Sequence, residues 1–73
     1  MKREPVNSAS IRSVGYDVES SVLEVEFVSG DVYRYLDVPQ LVHKQLMTSE
    51  SIGRFLNSRV KPNYAVVDLW NRA

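Results

Sequence analysis

Cysteine is absent from the 73 residues, which excludes disulfides, thiolate metal sites and cysteine nucleophiles together and leaves the fold to noncovalent packing. Net charge is absent too. Nine Lys and Arg balance nine Asp and Glu, so the chain as a whole sets up no field to draw in a polyanion. No apolar run approaches the roughly 20 residues of a membrane span, and the opening stretch MKREPVNSAS is polar where a secretory signal needs an apolar core. A cytoplasmic protein with no membrane partner is expected.

Glycine is scarce, and positions 15, 30 and 53 are too scattered for a loop that cradles phosphate. The single histidine, His43, has no Cys and no second His to share a metal, and reads as a surface residue. No serine stands in a G-x-S-x-G or Ser-x-x-Lys frame. Glu24 and Glu26, two apart on one exposed strand face, resemble a solvated surface more than a general acid/base pair. No enzyme activity, metal or cofactor is implied.

What is present begins with the stretch Val22 to Leu36. Leu23, Val25 and Phe27 alternate with Glu24 and Glu26, which predicts a strand with one packed face and one wet face. The following strand, Asp31 to Leu36, admits two registers. A two-residue Ser29-Gly30 loop pairs Val25 with Arg34 and buries an arginine among apolar side chains. A three-residue Val28-Ser29-Gly30 loop with Gly30 left-handed instead pairs Leu23 with Tyr35, Glu24 with Arg34 and Val25 with Tyr33. The second satisfies the glycine, the arginine and the aromatic rings at once and is preferred; it makes Tyr33 and Tyr35 scaffold before contacts.

Around this hairpin, residues 1–9 are expected to be a flexible arm and residues 10–73 a single folded domain. A first strand should run from Ser10 to Asp17, with Gly15 marking a bulge or a close backbone approach, and Asp17 to Ser21 should reverse the chain. Asp37-Val38-Pro39 reads as a helix start with Asp37 as capping acid. A helix over Gln40 to Met47 would present Val38, Leu41, Val42 and Leu46 to the sheet. Ile52 to Arg59 reads as a second short helix with Phe55 and Leu56 inward. The segment from Tyr64 to Trp70 is too apolar for a free tail; it is expected to add a strand or pack on the helices, with Trp70 reaching a partner chain. The fold class is α+β: an antiparallel sheet of three or four strands with two short helices packed on one face.

The charges are unevenly placed. Between Ser13 and Tyr33 stand Asp17, Glu19, Glu24, Glu26 and Asp31 with no Lys or Arg, whereas Leu41 to Tyr64 carries Lys44, Arg54, Arg59 and Lys61 against Glu50 alone. These are either faces that attract each other across the fold or a local basic patch. Ser51-Ile52-Gly53-Arg54 opens a helix, where free N–H groups favour an anion and Gly53 would let a phosphate approach, with Arg59 and Lys61 adding charge. The competing reading makes Ser51 a simple cap and Gly53 room for a neighbouring segment. Tyr33, Tyr35, Phe55 and Tyr64 offer stacking faces for bases or, on the competing reading, core.

Taken in order, Ile11-x-x-Val14-Gly15-Tyr16-Asp17, LEVEF, Ser29-Gly30, Val32-Tyr33-x-Tyr35, Val38-Pro39, Ser51-x-Gly53-x-Phe55-x-Asn57 and Val60-Lys61-x-x-Tyr64 resemble the KTSC domain, a family named after the C-terminal domain of some lysyl-tRNA synthetases. The resemblance covers residues 10 to 70 and is to the free-standing kind; Leu56 stands where the family often has a second aromatic. It implies a non-catalytic module that binds RNA ahead of DNA. The residues expected to carry binding are Arg54, Arg59 and Lys61, with Ser51 and Gly53 at the helix start, and Arg34 and Tyr64 as further contacts. The alternative is a protein-interaction or homodimeric accessory domain that docks through Val66, Leu69 and Trp70 without a nucleic-acid ligand.

Overall fold

A computed structural model describes residues 1–70. Residues 71–73 of the expected domain, and the reach of the Trp70 side chain to a partner, lie outside the described part. Five strands, β1 (Arg3–Pro5), β2 (Ile11–Asp17), β3 (Val22–Phe27), β4 (Val32–Tyr35) and β5 (Val66–Trp70), form one antiparallel sheet in chain order. Helices α1 (Gln40–Thr48) and α2 (Ile52–Phe55) lie between β4 and β5, and α2 runs on into a π-helical turn over Leu56–Val60. The architecture is α+β with five strands in place of the three or four expected.

The β3–β4 register is the preferred one: Leu23 opposite Tyr35, Glu24 opposite Arg34 and Val25 opposite Tyr33. Gly30 takes a φ of 98°, and the turn closes with the Gly30 N–H donating to the Phe27 carbonyl and the Phe27 N–H to that of Asp31. A register shift between Ile11 and Ser13 explains why odd-numbered Ile11 and even-numbered Val14 are both buried. The bulge turns Ile11 to the packed face.

One face of the sheet carries the core. Val14, Leu23, Val25 and Tyr35 pack with Val38, Leu46, Leu56 and Val60 from the helical segment, and none is exposed by more than a few per cent. Leu46 is the buried residue of α1, whereas Leu41, expected in the same stripe, is exposed. Asp37 does not cap α1. It sits at φ 55°, and Pro39 occupies the cap position without a side-chain hydrogen bond.

The opposite face is not simply wet. Glu24 is only 7% exposed, because Arg34 Nε from β4 reaches its Oε1 at 2.8 Å and Arg3 Nη1 from β1 reaches its Oε2 at 3.3 Å. Arg3 crosses β2 at Gly15, where an added Cβ would lie 2.9 Å from Arg3 Cγ and 3.0 Å from the Lys2 carbonyl oxygen. The close approach expected of that glycine is therefore made by β1 itself. The supposed free arm is an edge strand over Arg3–Pro5, held by this ion pair and by its ladder with β2. Ser13 Oγ donates to Glu26 Oε1 at 2.8 Å on the same face.

His43 is half-buried rather than on the surface. Its ring lies parallel to that of Tyr16, with centroids 4.8 Å apart, and the Tyr16 O–H donates to the Val38 carbonyl at 2.6 Å. Burial lowers the His43 pKa from its ordinary 6.5, with Glu4 opposing the shift. The folded state thus takes up this proton less readily than the unfolded chain. Stability is expected to be full above 6.5 and to fall as pH drops from there through the lower folded value. Urea-unfolding midpoints between about pH 8 and about pH 5 measure the slope, and His43→Phe, which keeps a ring on Tyr16, should flatten it.

Candidate nucleic-acid interface

The residues expected to bind an anion are distributed over three places. Ser51, Arg54 and Arg59 come together with Phe55 and Ser58 around a shallow hollow of about 240 Å³ beside α2. Ser51 is the N-cap of α2, its Oγ accepting from the Arg54 N–H at 3.3 Å. The position a Cβ would take at Gly53 is 2.8 Å from Ser10 Oγ, so the space beside this glycine is filled by the loop before β2. On the other side of Arg54, Ser8, Ser10, Asn57 and Ser58 line a more polar hollow of about 470 Å³. Here the sequence contains a signal that pattern reading passes over: two serine-rich segments far apart in the chain meet around one arginine.

Lys61 stands apart from this pair. It follows the π-helical turn, in which its N–H donates to the Leu56 carbonyl five residues back at 2.9 Å. Its ammonium lies 5.6 Å from the centre of the Phe27 ring, itself edge-on to Tyr33. Arg59 makes the equivalent contact with Phe55 at 5.7 Å. Tyr64 is half-buried against the core, and Arg34 is on the opposite face of the sheet, engaged with Glu24.

Among the described residues, the two ion pairs are those of Glu24 with Arg3 and Arg34. No ion pair therefore joins the acidic stretch 13–33 to the basic stretch 41–64. Arg54, Arg59 and Lys61 are exposed and have no carboxylate within ion-pair distance. Among the described residues no three His, Asp or Glu side chains converge where a metal ion would sit, and no helix is long and apolar enough to cross a membrane.

The KTSC domain family model matches residues 7–64, nearly all of the sheet and both helices. The chain belongs to the KTSC domain family. This KTSC domain superimposes on the crystal structure of a KTSC domain protein from Yersinia pestis with a TM-score of 0.91 at 35% identity, covering 94% of this chain and 97% of that one. It is 48% identical over 64 residues to an uncharacterized protein of Stutzerimonas stutzeri, covering 88% of this chain and 90% of the relative. A protein of Tsukamurella paurometabola is 41% identical over 66 residues, with 90% and 98% covered. The match to whole relatives of nearly equal length makes the five-stranded sheet with its helical segment the unit that these proteins share.

Proposed function

We propose that this KTSC domain is a non-catalytic binding module for single-stranded nucleic acid, RNA ahead of DNA, working in the cytoplasm. The observation that supports it most is the contrast between the two sides of the sheet. On one side the arginines are consumed by Glu24; beside α2 and the π-helical turn, Arg54, Arg59 and Lys61 have no carboxylate to neutralise them, and two of them lie over aromatic rings. Unpaired cations attract phosphates by counterion release, and half-exposed rings such as Phe27 and Phe55 give bases a surface to stack on.

Titration of a short fluorescent single-stranded RNA at low salt should give binding in the micromolar range. Three phosphate contacts correspond to a slope of log K against log salt of about −2. Arg54→Ala, Arg59→Ala and Lys61→Ala combined should remove the binding, and Arg34→Gln, on the other face, should leave it unchanged. Absence of binding, or a triple variant that binds as the parent does, overturns the proposal.

A second reading, a self-associating accessory domain, is favoured by one observation. The C-terminal segment forms the outermost strand, and Val66, Val67 and Leu69 are exposed along it.

A further inference from the structure

The two edges of the sheet are not equivalent. At the β1 edge, the Val6 N–H donates to the Arg12 carbonyl at 3.1 Å, so alternate residues Glu4 and Val6 turn their N–H groups toward β2, and Arg3 and Pro5 face outward. Pro5 has no N–H to offer, and a proline at that place blunts an edge against further pairing. The β5 edge has no such device. The Leu36 N–H donates to the Ala65 carbonyl at 2.9 Å, and Arg34 is opposite Val67, so Ala65 and Val67 direct their backbone groups to β4. Val66 and Asp68 direct theirs away from the sheet, where no strand pairs with them among the described residues.

We propose that β5 is the seam between two copies of this chain, joined antiparallel about a two-fold axis at Val67 so that the two sheets continue as one. The proposal deepens the self-association reading above and rests on it. An isologous pairing brings each residue opposite its symmetry mate. Centred on Val67, it sets Val66 against Asp68 of the second copy, and these are the residues whose N–H and C=O groups are turned outward, so each pair exchanges both hydrogen bonds. Val67 meets Val67 of the second copy at a non-hydrogen-bonded site, where side chains are closest.

The charges fit the same register. Val66 and Asp68 are on the helix face, opposite Tyr35 and Tyr33, and Val66 shares a hollow of about 300 Å³ with Tyr33, Tyr35 and Lys61. The second copy's Asp68, placed beside Val66, is thereby brought to Lys61, which has no carboxylate partner of its own among the described residues. Centring the pair on Asp68 would oppose two carboxylates, which is unfavourable. Centring it on Val66 would carry Asp68 to Tyr64, before β5 begins. With Lys61 at the seam, phosphate attraction rests on Arg54 and Arg59.

The absence of cysteine makes single-cysteine variants a clean test. The full chain should sediment as a dimer at high micromolar concentration. Oxidised Val67→Cys should form a disulfide-linked dimer, and Ala65→Cys, four register positions from its own mate, should not. Lys61→Asp should weaken association about tenfold through two lost ion pairs, and Lys61→Asp with Asp68→Lys should restore it. A full chain that remains monomeric overturns both this proposal and the self-association reading. A dimer in which Val67→Cys links no better than Ala65→Cys and the double charge exchange restores nothing overturns this seam and leaves self-association standing.

Discussion

Leu46→Ala should lower the stability of this domain by roughly 2 to 5 kcal/mol, the range for removing a fully buried leucine and leaving a cavity. Leu46 has no exposed surface and is the residue through which α1 enters the core. With a total stability of roughly 4 to 11 kcal/mol expected for a chain this size, the variant should lose about 10 °C or more in unfolding midpoint and could fail to fold. Leu41→Ala is the matched control, because Leu41 is on the same helix and mostly in water. Its midpoint should stay within about 0.5 kcal/mol of the parent. Thermal unfolding of both followed by circular dichroism decides the matter. Equal losses in the two variants would mean that α1 is not held by Leu46.

Glu24→Ala ranks second. Glu24 binds Arg34 through one oxygen and Arg3 through the other, so its removal leaves two guanidinium groups near each other with no anion between them. Stripping one partner from a fully buried pair costs about 3 to 5 kcal/mol. Here the arginine side chains keep 31% and 43% of their exposure and turn to water, which brings the expected loss down to roughly 1 to 3 kcal/mol. The loss should be uneven. β1 is attached by three register pairs and by Arg3, so the Val6 amide should exchange much faster while β3 amides slow or speed only with global stability. An unchanged urea midpoint together with an unchanged Val6 exchange rate would show that Glu24 does not anchor β1.

The parts of the fold legible in the sequence are those fixed by neighbours within a few residues. Gly30, Arg34 and the alternation of Leu23, Val25 and Phe27 constrain one hairpin, and that hairpin is found in the expected register. β1 was hidden because three residues containing a proline have no periodicity. It is held by a gap at Gly15 and a carboxylate on β3, both distant in sequence. The bulge near Arg12 disguised Ile11 for a related reason, since a one-residue slip breaks the parity from which faces are read. The run around Val66 to Trp70 is apolar at nearly every position, so only its place beside β4 shows it to be a strand. The candidate binding residues were separable by chemistry and not by geography. Arg34 and Arg54 are the same residue type, but strand alternation sends Arg34 to Glu24, and the fold brings Arg54 to serines from both ends of the domain.

The π-helical turn over Leu56–Val60 bears on how sequences of this family are to be matched. It holds one residue more than the same stretch of α-helix, and each residue of an α-helix advances the direction of side chains by about 100°. Loss of a single residue there would relax the turn to ordinary helix while swinging everything after Leu56 around the axis, taking Val60 out of the core and Lys61 off the Phe27 ring. Spacing between Phe55 and Lys61 is therefore a stricter marker of a shared surface than the identity of any residue between them.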